Sequence, residues 1–281
     1  MKKIGLVDFY IDEWHSNTYL GLFARAALEM GLDYSVTYAW AELDRFDGRR
    51  STDEWCQEKG ITRVNTLEEL CELSDNIIIL APANPEKHIE YAKTALRYSK
   101  ATYIDKTFAQ SCEVAKEIYA LSEKYGAPIF STSALRYASE LDKLVGATSF
   151  VSTGGGRSLE EYVVHQIEMA VKVMGTDASE VHLFDRGAHA TAIVDFNGRT
   201  ATLNYSQSAP FTVDGVLKDG KSCYLPVSDG DYFYRLIKDI LSFFESGKPS
   251  FSKEETIAVI AIRDAIINAK LKSQKTQKVE K

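Results

Sequence analysis

The pattern of hydrophobic and polar positions changes near residue 127. Before it, short apolar runs alternate with segments whose apolar positions recur at helical spacing. Continuous apolar runs are typical of strands buried on both faces, and their alternation with helices predicts a parallel sheet with right-handed crossovers. The predicted strands cover residues 3–9, 34–40, 76–81, 101–105 and 128–132, and the predicted helices cover 17–30, two short segments capped by Ser51 and Thr66, 86–98 and 111–125.

The strands predicted after residue 127 have alternating apolar and polar positions instead of continuous apolar runs. In HATAIVDFNGRTATLNY, residues 189–205, apolar and polar side chains alternate on both sides of Asn197-Gly198. This pattern predicts a type I′ hairpin in an antiparallel sheet that is covered on one face. We also predict helices over 158–174, over 231–246 and after a capping box of Ser252 with Glu255, and a frayed tail over 273–281.

Together these patterns predict an α/β chain with two domains. The first, residues 1–127, is a doubly wound parallel-sheet domain, and the second, residues 128–281, is an α/β domain with an open antiparallel sheet. A length of 281 residues is compatible with two ordinary domains.

Composition narrows the function classes. Hydrophobic residues make up 45% and charged residues 26%, the balance of a soluble globular protein. A net charge of −7 without a long basic run argues against nucleic acids and anionic membrane surfaces as partners. No apolar run is long enough for a membrane span or a signal peptide, so we expect a cytoplasmic protein. The cysteines are too far apart to support a disulfide framework or a zinc module: Cys56, Cys71, Cys112 and Cys223.

Ligands of open parallel sheets bind at the carboxyl ends of the strands, so candidate chemistry is sought there first. A dinucleotide site usually has G-x-G-x-x-G after its first strand. Here Gly5 is followed by LVDFYIDEWH, which puts Asp8, Asp12 and Glu13 where a pyrophosphate would lie. This counts against an ordinary pyrophosphate cradle. Asp8 and Tyr10 are nevertheless the candidate cofactor contacts of this loop.

Two further loops carry candidates at the same edge. After the strand 76–81, a segment with Pro82, Asn84 and His88 is either a plain strand-to-helix turn or a loop that contacts a cofactor. After the strand 101–105 comes Asp105-Lys106-Thr107. Lys106 could hold an oxyanion or a substrate hydroxyl, or it could be an ordinary surface lysine.

The helix 158–174 places three polar side chains on one face, because Glu161, His165 and Glu168 are spaced i, i+4 and i+7. A histidine with an orienting carboxylate is suited to general acid–base catalysis. In the alternative interpretation His165 is a packed helical histidine and Glu161 only completes a capping box with Ser158. A metal site is disfavoured, because no third strong ligand is visible.

Other residues carry weaker signals. The run Gly154–Arg157 could receive an anion at the helix N-terminus, although a flexible connection is the simpler interpretation. Arg136 and Tyr137 follow the last parallel strand and could face the cleft as substrate contacts, together with Glu168. His182 and His189 lie on predicted strands and are interpreted as structural.

Four segments, in this order, resemble the glucose–fructose oxidoreductase/inositol dehydrogenase (Gfo/Idh/MocA) family. They are APANPEKHIEYAKTAL, YIDKTFAQSCEVAKEIYALSEKYGAPIF, EYVVHQIEMAVKVMG and SFFESGKPSFSKEETIAVIAIRDAI. The resemblance implies a Rossmann-like N-terminal domain, Lys106 as the motif lysine, His165 as the acid–base residue and Glu161 in place of the family's aspartate. The chain departs from the family in its missing glycine loop, in Asp-Lys-Thr instead of Glu-Lys-Pro, and at the end of the second strand, where only Trp40 and Glu42 are nearby.

The resemblance implies an NAD(P)-dependent oxidoreductase that acts on a secondary alcohol or ketone of a sugar-like or cyclitol-like molecule. The departures leave open a family-like protein that has lost dinucleotide binding and serves as a small-molecule-binding or regulatory protein. The resemblance also implies a homo-oligomer, a dimer or tetramer, that associates through the antiparallel sheet. For the enzyme, His165 must reach the same cleft as Lys106.

Overall fold

The computed structural model describes residues 1–44, 47–228, 230–272 and 275–281. They form two compact units. The N-terminal unit consists of residues 1–109, 113–131 and 234–250, and the C-terminal unit consists of residues 110–112, 132–233 and 251–281. Residues 234–250, which the sequence pattern places in the second domain, therefore group with the N-terminal unit.

The N-terminal unit contains the predicted doubly wound parallel sheet, with strand order β3-β2-β1-β4-β5-β6. The order reverses between β1 and β4, the usual ligand position in such sheets. The strands are β1 (Lys2–Asp8), β2 (Tyr34–Ala41), β3 (Thr62–Arg63), β4 (Asn76–Ile79), β5 (Thr102–Ile104) and β6 (Ile129–Phe130). The first five helices are α1 (Trp14–Met30), α2 (Thr52–Lys59), α3 (Leu67–Leu73), α4 (Glu86–Ala95) and α5 (Cys112–Tyr125).

The C-terminal unit is built on a seven-stranded sheet with the order β12-β11-β7-β10-β9-β8-β13. All its pairs are antiparallel except β7 with β10, which run parallel. The strands are β7 (Ser149–Gly154), β8 (Glu180–Asp185), β9 (His189–Phe196), β10 (Arg199–Ser206), β11 (Thr212–Val216), β12 (Ser222–Pro226) and β13 (Thr276–Lys278). The last three helices are α6 (Leu159–Met174), α7 (Tyr232–Ser246) and α8 (Lys253–Leu271).

The predicted hairpin is confirmed. β9 and β10 pair from Phe196 with Arg199 to His189 with Ser206. Asn197 has φ 52° and Gly198 has φ 84°, the left-handed conformations that a type I′ turn requires at both central positions. Alternate side chains of both strands enter the core of the unit beside residues of α6 and α8. The predicted α/β fold class is therefore confirmed for both sheets.

Two local predictions are wrong. Ser252 makes no side-chain cap bond at the start of α8, so the predicted capping box is absent there. The sequence predicts a frayed tail, yet Thr276–Lys278 form β13 on the edge of the sheet, antiparallel to β8. Backbone pairing at an open sheet edge holds this polar segment, which no hydrophobic pattern could reveal.

Helix α7 packs in the N-terminal unit. The rings of Phe244 and Tyr34 stack with centroids 6.3 Å apart, and those of Phe243 and Phe130 lie 5.5 Å apart.

None of the helices within the described residues is long and apolar enough to cross a membrane.

Candidate functional site

The carboxyl ends of β1, β4 and β5 meet at one edge of the parallel sheet, and Asp8 joins two of them. Asp8 is fully buried, and its Oδ1 atom accepts the backbone N–H groups of Phe9 at 2.8 Å and Ala81 at 3.0 Å. Its Oδ2 atom is buried without a hydrogen-bond partner in the described part of the chain. Burial raises the pKa of Asp8 well above its ordinary value, which favours the protonated form.

The loop between β1 and α1 is stabilised by ion pairs. Asp12 binds Arg50 through two oxygens, with Oδ1–Nη2 at 2.7 Å and Oδ2–Nε at 3.1 Å, and accepts Asn17 Nδ2 at 2.8 Å. Although burial opposes the change, these hydrogen bonds lower the pKa of Asp12 to about 2. Glu13 is the N-cap residue of α1, and its carboxylate lies 3.8 Å from the Arg49 guanidinium.

Glu42, beyond the end of β2, is engaged by two side chains of α4. It accepts Lys87 Nζ at 2.9 Å and the Tyr91 hydroxyl at 2.7 Å. Although burial opposes it, these bonds lower the pKa of Glu42. In dinucleotide-binding domains an acid after the second strand holds the ribose hydroxyls. Here that acid ties β2 to α4 instead.

The remaining candidate cofactor contacts of the sequence lie in the loops after β1, β4 and β5. Asn84 donates its side-chain amide to Glu86 at 2.9 Å, and Tyr10 packs edge-on against Phe9 with centroids 4.5 Å apart. The Lys106 ammonium, on a side chain only 8% exposed, donates to the Pro82 carbonyl at 3.0 Å. The peptide bond between Lys106 and Thr107 is cis.

His88 lies inside the same unit and is fully buried. Its Nε2 atom faces the Leu80 carbonyl at 2.6 Å and its Nδ1 atom faces the Phe108 carbonyl at 3.1 Å. Burial lowers the pKa of His88. Both ring nitrogens are therefore occupied by backbone groups, an arrangement typical of a structural histidine.

A histidine that the sequence analysis did not single out, His15, lies at this edge. Its Nδ1 atom is 2.6 Å from Oδ2 of Asp105, the residue directly after β5. Asp105 is 1% exposed, and its Oδ1 atom accepts the Tyr103 hydroxyl at 3.3 Å. Although burial opposes it, His15 and Lys106 lower the pKa of Asp105, which favours the ionised carboxylate.

The C-terminal unit holds the second constellation, on α6. The Nδ1 atom of the half-buried His165 lies 2.6 Å from the hydroxyl oxygen of Ser133. The rings of Tyr162 and Phe211 flank the imidazole, with centroids 5.5 Å and 6.1 Å away. Ser133 was not predicted, because it is distant from His165 in the sequence.

Glu161 has other contacts. Its carboxylate forms an ion pair with Arg157, and its backbone N–H donates to the Ser158 hydroxyl at 3.3 Å. Gly155, in the glycine run before this helix, lies so close to the Ser206 carbonyl that an added Cβ would overlap it. The run therefore has a packing role beyond that of a flexible connection.

Behind His165, Glu168 and Arg136 form a buried ion pair, with Oε2–Nη1 at 3.5 Å. Glu168 also accepts the Thr132 hydroxyl and the Ser133 backbone N–H, both at 3.1 Å. Burial raises the pKa of Glu168, and the nearby Arg136 offsets part of this effect. Arg136 also pairs with Glu255 of α8.

Tyr137 ends the short 3₁₀ helix Ala134–Tyr137 and is half-buried. Among the predicted site residues, the C-terminal unit thus contains His165, Glu161, Glu168, Arg136 and Tyr137, and the N-terminal unit contains the others. Within the described residues, no group of three or more His, Cys, Asp or Glu side chains is arranged to hold a metal ion.

No family model matches the sequence, and no curated protein matches it. Solved structures, in contrast, match this chain. The chain is similar to an oxidoreductase from Agrobacterium radiobacter in complex with NAD+, L-tartaric acid and magnesium, at 13% identity and a TM-score of 0.78, over 99% of this chain and 98% of that one. The chain has the fold of Gfo/Idh/MocA-type dehydrogenases.

Two further structures agree. A dehydrogenase from Clostridium difficile matches at 16% identity and a TM-score of 0.75, over 95% of this chain and 99% of that one. An oxidoreductase from Thermotoga maritima matches at 14% identity and a TM-score of 0.76, over 99% of each chain. At such identities the likeness concerns the fold, and the predicted resemblance is confirmed at that level.

Proposed function

We propose that this chain is an oxidoreductase that acts on a secondary alcohol or ketone of a sugar-like or cyclitol-like molecule, with NAD or NADP as the hydride carrier. The observation that carries the proposal is His165, half-buried and held through Nδ1 by Ser133 at 2.6 Å. A histidine fixed by one ring nitrogen can exchange a proton with a substrate hydroxyl through the other. The similar fold of an oxidoreductase bound to NAD+ and L-tartaric acid supports the reaction class.

In this proposal each residue has a separate role. His165 takes the hydroxyl proton during oxidation and returns it during reduction. Ser133 positions the imidazole, and the Glu168–Arg136 pair supports Ser133 from behind, through the hydrogen bond from the Ser133 N–H to Glu168. Lys106 is the ligand-binding cation of the N-terminal unit, and to bind a ligand oxygen its ammonium must release the Pro82 carbonyl or share its protons between the two oxygens.

The loop after β1 does not fit the usual pyrophosphate cradle. A glycine loop lets phosphate oxygens approach backbone N–H groups at a helix N-terminus. In this chain the Asp8 carboxyl takes up the N–H groups of Phe9 and Ala81, and the acidic Glu13 caps α1. The roles proposed for His165, Ser133 and Lys106 concern side chains of this protein only, and its ability to bind a dinucleotide is the first property to test.

The test is calorimetric titration of the purified protein with NADH and with NADPH. Saturable binding of either at submillimolar concentration is the expected result. A panel of sugars and cyclitols, assayed for NADH formation or consumption, then defines the substrate. If neither nucleotide binds at millimolar concentration, the oxidoreductase proposal is wrong.

A second candidate function is small-molecule binding or regulation without a dinucleotide. The engagement of Glu42 by Lys87 and Tyr91 favours it, together with the buried Asp8. These contacts occupy the groups that a ribose and a pyrophosphate would use. Binding of a sugar by a protein that binds neither NADH nor NADPH would support this candidate over the first.

A further inference from the structure

Two aromatic rings beside His165 pack against glycines of the run that precedes α6. An added Cβ at Gly154 would overlap the Phe211 ring, and an added Cβ at Gly156 would overlap the Tyr162 ring. Both rings can therefore lie this close to the backbone because these two positions carry no side chain. The rings of Tyr162 and Phe211 are called the aromatic platform below.

We propose that the aromatic platform determines the substrate specificity of the C-terminal unit by binding the C–H face of a saturated six-membered ring, as in a pyranose or a cyclitol. The proposal rests on the proposed function, because it assigns recognition of that substrate class to two residues. It concerns binding alone and includes no chemical step. Closed-ring polyols should accordingly bind better than open-chain polyols with the same number of hydroxyl groups.

The glycine run is held at both ends. The buried Gln166 side chain donates from Nε2 to the Gly154 carbonyl at 2.9 Å and accepts the Ser152 hydroxyl at 2.7 Å. The Tyr205 hydroxyl donates to the Gly156 carbonyl at 2.8 Å. Because the carbonyl groups of the first and last glycine are both bonded, the run is a fixed support for the platform.

The platform lies where a substrate of His165 would meet it. The ring centroids of Tyr162 and Phe211 are 5.5 Å and 6.1 Å from the imidazole, with planes at 60° and 75° to it. Both rings pack against the core of the unit but are only half-buried. A molecule that brings a hydroxyl group to the imidazole therefore also contacts the platform.

The chemistry of an aromatic ring fits the face of a saturated polyol ring. The equatorial hydroxyl groups of such a ring lie around its edge, and its axial C–H groups point out from its faces. These hydrogens carry a partial positive charge, which the negative face of an aromatic ring attracts. A closed ring holds its C–H groups in a fixed geometry, whereas an open chain must lose torsional freedom to present them. An aromatic ligand would also stack here, but its ring has no secondary alcohol carbon to oxidise.

The first experiment is saturation-transfer difference NMR on the whole protein, with irradiation of its aromatic protons. The probes are a panel of methyl pyranosides and inositols and, as the open-chain probe, sorbitol, which has as many hydroxyl groups as an inositol. At least one closed-ring probe should receive saturation on the C–H protons of one face, about threefold more than any sorbitol proton. Equal transfer to sorbitol, or no transfer to any closed-ring probe, would overturn the proposal.

Variants of Tyr162 provide the second measurement, by calorimetric titration with the best closed-ring probe. Tyr162→Leu should weaken binding by about three- to tenfold, the range of one aromatic contact, whereas Tyr162→Phe keeps the ring and should bind within about twofold. Tyr224→Leu removes a 65% exposed ring of β12 and is the matched control, with unchanged affinity. An affinity of Tyr162→Leu equal to that of the unmodified protein contradicts the proposal.

Gly156→Ala tests the support of the platform. It keeps both rings in the sequence, but the added methyl group displaces Tyr162 and should weaken binding as much as Tyr162→Leu does. Gly230→Ala is its control, because an added Cβ there meets no atom of the described residues within 4 Å. Unchanged affinity of Gly156→Ala would show that the glycine does not position the ring, and if this variant does not fold, the Tyr162 variants decide.

All titrations are made with and without millimolar NADH, so that failure of the proposed function is a separate result. A protein that binds neither NADH nor NADPH overturns the oxidoreductase proposal. Closed-ring probes that still bind such a protein, and lose affinity with Tyr162→Leu, retain the role of the platform. A protein that binds a nucleotide but no closed-ring probe overturns the platform alone.

Discussion

The Oδ1 atom of Asp8 accepts the backbone N–H of Ala81 at 3.0 Å and thereby joins the ends of the two central strands β1 and β4. A single side chain thus takes the place of a glycine turn at the position where this fold usually binds its cofactor. Asp8 therefore occupies backbone N–H groups at this position and also connects β1 with β4.

We predict that Asp8→Asn stabilises the protein at high pH. The folded-state pKa of Asp8 is raised by burial, so its contribution to stability is fully present below the unfolded pKa and is lost as pH rises through the folded value. Asparagine keeps the acceptor for Phe9 and Ala81 but carries no charge. Thermal unfolding should therefore show a gain of about 1–3 kcal/mol at pH 8 that vanishes near pH 4.

The control for that experiment is Asp177→Asn, which removes an exposed carboxylate. It should change stability by less than about 0.5 kcal/mol at either pH. A pH-independent effect of Asp8→Asn would show that Asp8 does not titrate as described.

We predict that His165→Ala lowers turnover by about 10²–10⁴-fold, the usual contribution of general acid–base catalysis. Because the ring is half-buried at the surface of its unit, the melting temperature should hardly change. Steady-state kinetics with the cofactor and substrate found by titration provide the measurement. Unchanged kcat would exclude His165 as the acid–base residue.

Substitutions of Ser133 and Glu161 distinguish a residue that positions the His165 imidazole from a residue that only caps the helix. Ser133→Ala removes the hydroxyl at Nδ1 and should shift the pH profile of kcat, because the imidazole loses its partner. Glu161→Gln should leave activity within about twofold and the helix start intact, because Glu161 pairs with Arg157 and its N–H still reaches Ser158. A loss with Glu161→Gln as large as with His165→Ala would restore Glu161 as the orienting carboxylate.

We predict that Arg136→Met destabilises the protein by about 3–5 kcal/mol, because it leaves Glu168 buried without its cation. The pKa of Glu168 is already raised by burial and rises further without Arg136. The deficit should therefore be largest at pH 8 and shrink towards pH 4, where Glu168 is protonated. Denaturant unfolding measures this, and the double variant with Glu168→Gln should recover part of the loss at pH 8.

We predict at least a dimer, formed through the second face of the seven-stranded sheet. On β9 and β10 this face presents half-exposed side chains, among them Ile193 and Asn204. Light scattering at micromolar concentration should give a dimeric or larger mass, and Ile193→Arg should reduce it while Asp177→Arg does not. A monomeric mass for the unmodified protein would contradict the prediction.

Hydrophobic pattern predicted most of the fold because burial on one or both faces leaves a period in the sequence. The four buried residues of β4 and the alternation of β9 and β10 are of this kind. β3 has only two exposed residues and β13 is polar, so pairing with a neighbour determines their structure and no local signal exists. The parallel pairing of β7 with β10 likewise depends on tertiary contacts.

For the candidate site, the sequence indicated the functional candidates better than the groups that these residues contact in the fold. Lys106 and His165 could be named because each follows or lies within a recognisable element. The partners that define their chemistry, the Pro82 carbonyl and the Ser133 hydroxyl, are ordinary groups brought in by the fold. His15 was missed because its carboxylate, Asp105, is 90 positions away.

The position of α7 has a consequence for folding during synthesis. Its residues emerge from the ribosome after most of the seven-stranded sheet, yet its Phe243 and Phe244 rings cover Phe130 and Tyr34 of the parallel sheet. A nascent chain or a fragment that stops at residue 131 exposes those apolar surfaces and is prone to aggregate. The parallel sheet therefore acquires its native cover only late, and dissection of this protein into independently expressed halves should carry residues 234–250 with the first half.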